Sequence, residues 1–140
     1  MLKNILTYNS DFLKSLGITI IRIGLGIIFI RHGFPKIMKG VPEWQWLGEQ
    51  MGNLGIHFLP VFWGFMAACT ESFGGIALVI GFCTRFFALL LAFVMLVAIV
   101  MHITKGDPWG YVSHPLSLIV VFIGLAVAGG GLFAVDNWLK

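Results

Sequence analysis

The sequence predicts an all-α fold: a polytopic membrane protein with a four-transmembrane-helix bundle and a short interfacial helix in the first connection. Three observations lead there. Of the 140 residues, 59% are hydrophobic and only 11% charged, with a mean hydropathy of +0.96. A soluble domain this small needs a far larger charged surface to stay dispersed. The chain also offers four long apolar stretches, and a helix needs roughly 20 predominantly apolar residues to cross a bilayer. Finally, Gly33, Pro35, Pro60, Gly81 and Pro115 punctuate these stretches at their ends. Four helices leave no room for a second core, so residues 1–140 are expected to form a single transmembrane domain.

The first helix is expected over about 16–32, ending where Gly33 and Pro35 follow His32. Lys3 and Lys14 precede it as in a signal peptide, but Arg22 interrupts the apolar run and no small-x-small cleavage site follows. A retained helix is expected. The next segment, KIMKGVPEWQWLGEQMGNLGIH, has its own pattern. Pro42 suits a first turn and Gly55 a stop, with Trp44, Leu47, Met51 and Leu54 on one face. An interfacial helix over about 42–54 fits, with Trp44 and Trp46 at headgroup depth. A loop helix capping the bundle fits as well.

The second helix is expected over about 59–81, opened by Pro60. GFCTRFF forms a tight turn into the third, over about 86–102, with Arg85 at the interface. HITKGDPWGYVSHP then leads to the fourth, over about 115–130. Four crossings put both termini on one side. His32, His57, His102 and His114 then share the far side with Trp44, Trp46, Trp63 and Trp109. The longer connections lie there too, so binding is expected on that face. Lys3, Lys14, Arg85 and Lys140 on the termini side balance Arg31, Lys36, Lys39 and Lys105 on the other. The positive-inside rule therefore leaves the orientation open.

The net charge of +3 is scattered, with no basic run of the kind that binds nucleic acid. Cys69 and Cys83 fall on one expected helix, about 21 Å apart at 1.5 Å per residue. A disulfide needs Cα atoms within about 7 Å, so both read as buried packing residues. Neither belongs to a CxxC or a Cys/His metal pattern.

Ionisable residues inside a membrane usually face the bundle interior, a partner or a water-filled cavity. Ser15, Thr19, Arg22, Gly26 and Gly33 form one small-and-polar stripe on the first helix. Gly64, Ala68, Glu71 and Gly75 form a matching stripe on the second. Arg22 and Glu71 lie at similar depth, which predicts a buried ion pair between them. Such a pair could fix the register of two helices, or Glu71 could protonate in a proton or quinone site.

His32, Lys36, His102 and His114 border a candidate ligand pocket on the far face. Imidazole suits metal or haem, but no HxxxH or HxxE spacing is present and acidic support is sparse. No metal site is expected and haem is disfavoured. A polar lining for a small organic ligand and ordinary interfacial histidines remain as alternatives. Trp44, Trp46 and Trp109 are candidates for interface anchoring or partner docking. Small-residue patches such as Gly124–Gly131 allow a homodimer.

The assembled motifs resemble the DoxX family of small four-helix inner-membrane proteins. RIGLGIIFIRHGFPKI is similar to its first-helix signature, ESFGGIALVIGFCTRFFAL to its second, and AGGGLFAVDNWL to its closing glycine-rich turn. The matching positions are Arg22, His32, Gly33, Lys36, Glu71, Gly74, Gly75, Thr84, Arg85 and Asp136. The resemblance implies a multi-pass protein of the bacterial inner membrane. It also implies association with thiosulfate–quinone oxidoreduction or with complexes that handle thiol and oxidative stress. The resulting expectation is a membrane subunit of a quinone-linked oxidoreductase complex, working with a soluble redox partner. A non-enzymatic scaffold that docks such a partner, and a proton-coupled subunit for transport of small solutes, are the alternatives.

Overall fold

The computed structural model describes residues 10–140; Lys3, counted above among the termini-side charges, lies outside them. Four helices are long and apolar enough to cross a membrane: α1 (Asp11–Lys39), α3 (Pro60–Ile80), α4 (Thr84–Lys105) and α5 (Trp109–Ala128). Between α1 and α3 lie the short helix α2 (Val41–Glu49) and a 3₁₀ segment, Gln50–Leu54. A last short helix, α6 (Val135–Trp138), follows α5. No strand occurs among the described residues.

The first helix is longer than its sequence suggests. Ser10 caps its start, its hydroxyl accepting from the Leu13 amide at 3.1 Å. At the other end the helix runs through both Gly33 and Pro35 and stops only at Gly40, whose φ of +79° suits glycine. At Gly33 the small residue serves a helix contact rather than a stop, for any Cβ there would strike the backbone and hydroxyl of Ser72. The fourth spanning helix likewise begins at Trp109, with Pro115 inside it.

The glycine stripes interlock. A Cβ on Gly26 would stand 2.6 Å from the Gly75 carbonyl oxygen, and one on Gly75 would stand 2.7 Å from that of Gly26. Helices α1 and α3 therefore pack backbone to backbone, as small residues allow in lipid. Gly64, placed in the same stripe by its spacing, instead admits the Trp44 carbonyl of α2, and Gly48 of α2 admits Pro60. These contacts lay α2 across the start of α3. Helix α4 packs chiefly along α5, and the pairs meet through a core of Phe29, Leu78, Leu91, Met95 and Phe122.

The α3–α4 turn is clamped by the closing segment. Asp136 accepts from the amides of Cys83 at 2.6 Å and Thr84 at 2.8 Å, and its own amide donates to the Gly81 carbonyl at 2.9 Å. Helix α4 has no capping side chain of its own, so Asp136 caps it from a distance. Burial alone would raise the Asp136 carboxyl; the amides of Thr84 and Cys83 and the charge of Arg22 outweigh it and hold the group below its ordinary value.

One further expectation is corrected here. Cys83 is not a buried helix residue but an exposed turn residue with a φ of +45°, and Cys69 is half-buried; both are free thiols. Within the Gly124–Gly131 patch, Gly129 and Gly130 are buried, with Gly130 close against Ala134 and Thr84, while Gly124 is exposed with open space around it.

Candidate functional site

The two charges inside the bundle do not pair with each other. Arg22 is 1% exposed, and its guanidinium donates to the carbonyls of Leu78 at 2.5 Å, Val79 at 2.7 Å and Phe133 at 3.3 Å. The last carbonyls of a helix lack partners within it, so Arg22 caps α3 and meets the negative end of its dipole. Glu71, 4% exposed, is bound instead by Lys36, whose ammonium donates to both carboxylate oxygens at 2.9 and 2.7 Å. The Arg22–Glu71 pair expected from depth is therefore replaced by Lys36–Glu71. The reason is register. Because α1 continues past Gly33, Lys36 lies on the helix, one turn beyond the Gly33–Ser72 contact and level with Glu71. Arg22 instead reaches Leu78, seven residues beyond Glu71 and so about 10 Å further along α3 at 1.5 Å per residue.

Lys36 is also held through its backbone. Its carbonyl, one of the free acceptors in the last turn of α1, takes a hydrogen bond from the Trp44 indole at 3.0 Å. The Trp44 ring packs edge-on against Phe65 of α3 at 4.8 Å. The α2 helix thus braces the turn that carries the ion pair.

This pair forms part of the wall of a cavity of about 440 Å³ between α3 and α4, closed at one end by α2 and the 3₁₀ segment. Helix α3 contributes Phe62, Trp63, Met66, Ala67, Thr70 and Glu71; α4 contributes Leu90, Phe93, Val94, Val97, Ala98 and Met101. Trp46, Leu47, Gln50 and Met51 close the end, with the Lys105 ammonium 5.3 Å from the Trp46 ring. The volume falls within the roughly 300–1,000 Å³ usual for ligand sites. Phe62, Met66 and Phe93 are exposed on the outer surface of the bundle, and Phe93 stands near the middle of α4. The mouth of the cavity therefore opens sideways, where lipid tails run.

Of the sequence-derived pocket residues, only Lys36 lines this cavity. His32 and His114 are exposed, each one position round its helix from a buried residue, Gly33 and Pro115 respectively. His102 is half-buried and engaged by the Asp107 carboxylate at 2.6 Å. They occupy the right end of the bundle but the wrong helical phase. No cluster of metal-ligating side chains occurs among the described residues. The three tryptophans divide: Trp44 braces α1, Trp46 closes the cavity, and Trp109 stands exposed at the start of α5.

Sequence reasoning placed Trp63 on the far face without giving it a role and overlooked Thr70. Their signal was present, since Trp63, Ala67, Thr70 and Glu71 recur at i, i+4, i+7 and i+8 on one helical face. Trp63 matters because its indole N–H is buried with no acceptor.

A DoxX family model matches residues 17–103. The chain belongs to the DoxX family. The matched segment contains Arg22, Lys36, Trp63 and Glu71, hence both buried charges and the whole Lys36–Glu71 pair; Asp136 lies beyond it. The DoxX chain is 29% identical over 126 residues to "Putative oxidoreductase CatD" of Bacillus subtilis (strain 168), covering 89% of this chain and 87% of that protein. It is 30% identical over 131 residues to "Inner membrane protein YqjF" of Escherichia coli (strain K12), covering 91% and 95% respectively. No solved structure matches the chain significantly. Family, apolar helices and the inner-membrane relative together make this DoxX chain a membrane protein.

Proposed function

We propose that this chain is an integral subunit of a quinone-linked oxidoreductase complex of the bacterial inner membrane, and that the α3–α4 cavity seats the quinone ring. The observation that carries the reading is a bilayer-facing apolar cavity with one ion pair, Lys36–Glu71, in its wall. Apolar sites with a few convergent polar groups are the usual form of small-molecule pockets. A quinone is a lipophile with a polar ring, and its tail fits the exposed gap beside Phe62, Met66 and Phe93. The printed name of the Bacillus subtilis relative, an oxidoreductase, supports the same class of chemistry. Electrons would be delivered by a soluble redox partner, with the exposed Trp109 at the same end of the bundle as a docking point.

The test is extraction of protein purified in mild detergent, followed by mass spectrometry of the bound lipids. Quinone enriched over the bulk membrane content is expected, and it should be lost when Ala67→Phe fills the cavity. Equal quinone in wild type and Ala67→Phe would sink the assignment.

A further inference from the structure

We propose that the cavity selects a neutral lipophile by a hydrogen-bond acceptor on its head, with the Lys36 ammonium as the recognising donor and the bilayer as the route of entry. This deepens the reading of the cavity as a quinone site and rests on it.

Donor bookkeeping carries the argument. A lysine ammonium has three N–H donors. Two point to the oxygens of Glu71, at 2.9 and 2.7 Å, and no other acceptor takes the third among the described residues. The side chain is 26% exposed against 5% for Glu71, so the ammonium is the open member of the pair and Glu71 its buried counter-charge. Trp63 shares the lining, but its indole N–H is sealed within the wall and has no acceptor there, which leaves the ammonium as the donor open to the cavity. Gln50 spends an amide N–H on the Trp46 carbonyl at 2.9 Å.

Donors without acceptors in an apolar wall are costly until something supplies the acceptor. An acyl chain cannot. A carbonyl oxygen can, and its ring then lies in the inner part of the cavity among Ala67, Thr70 and Val94. An anionic head is disfavoured, because Lys36, the one cation in the lining among the described residues, is already neutralised by Glu71. The exposed apolar residues at the mouth admit a tail that stays in the lipid.

The experiment uses the full chain in lipid nanodiscs, with quenching of Trp46 and Trp63 fluorescence by decylubiquinone as the readout. Decylbenzene, which has the same tail and no oxygens, is the competitor. Saturable quenching is expected, with decylbenzene competing at least about tenfold more weakly. The double variant Lys36→Met/Glu71→Gln removes the donor without stranding a buried carboxylate. It should bind decylubiquinone about tenfold more weakly and decylbenzene unchanged. Because the variant could fail to fold, infrared spectra of decylubiquinone bound to wild type give a second readout, a C=O stretch shifted to lower frequency. Equal competition by decylbenzene, an unshifted stretch, or wild-type affinity in the double variant overturns recognition by Lys36 and leaves the quinone reading standing. Absence of saturable decylubiquinone binding overturns both.

Discussion

Lys36 and Glu71 join the last turns of α1 to the middle of α3 through both carboxylate oxygens, at 2.9 and 2.7 Å. The pair is neutral as a unit, yet each member depends on the other, because a lone charge in a low-dielectric wall is expensive.

Replacing one partner should therefore cost far more than replacing both. Lys36→Met strands the Glu71 carboxylate and is expected to destabilise the bundle by about 3 kcal/mol, the lower end for a broken buried pair because Lys36 is partly exposed. Adding Glu71→Gln should recover most of that loss. Thermal unfolding of the two single variants and the double variant in detergent measures the coupling, and additive losses would show that the two residues act independently.

Arg22 makes a different prediction, since its partners are carbonyls and cannot be removed by mutation. Arg22→Met leaves the buried Leu78 carbonyl unpaired, at roughly 1–3 kcal/mol for an unsatisfied buried group, and frees the part-buried Val79 and Phe133 carbonyls at a smaller cost. A chain that elutes as a folded species from size-exclusion chromatography with unchanged melting temperature would contradict this. Arg22→Lys should be intermediate, keeping the charge but losing the fork that reaches several acceptors.

The glycines separate by contact, not by composition. Gly75→Ala drives a methyl toward the Gly26 carbonyl and should cost about 1–3 kcal/mol by prising α1 from α3. Gly24→Ala meets nothing within 4 Å and should be neutral or stabilising by up to about 1 kcal/mol from helix propensity. Parallel melts of the two variants check the contrast.

Asp136 gives a pH dependence with a definite sign. Its folded-state value lies below the ordinary 3.8. The carboxylate therefore stabilises the fold at all pH above the unfolded value, and this contribution is lost as pH falls through the folded one. Against Asp136→Asn, wild type should hold a constant advantage of about 0.5–2 kcal/mol near neutral pH, the usual worth of an N-cap. The gap should close below about pH 4. Denaturant titrations of both proteins across this range decide it, and a gap that widens in acid would refute the assignment.

Hydropathy made the four spanning helices legible because about 20 apolar residues in a row have few other uses. Helical spacing made the Gly26–Gly75 contact legible too. What misled was local punctuation. Gly33 and Pro35 read as a stop, although Gly33 is small because Ser72 lies against it. Ending α1 there removed Lys36 from the helix and left Arg22 as the apparent partner of Glu71. The same spacing arguments place a histidine at an end of the bundle but not in its interior, since one residue of phase separates exposed His32 from buried Gly33. Trp63 was legible as a far-face residue, but its place in the cavity wall follows only when Glu71 anchors the helical face.

The Asp136 clamp has a mechanical consequence. It pins α3 to α4 at the termini end, and the core around Leu78 and Leu91 keeps them together over the same half of the bundle, whereas the cavity separates them towards the far end. The two tightly packed pairs, α1 with α3 and α4 with α5, are thus arranged like the arms of tweezers. Thickness or lateral pressure of the surrounding lipid would act on the gap at the tips, and the joint would stay closed while the gap changes width.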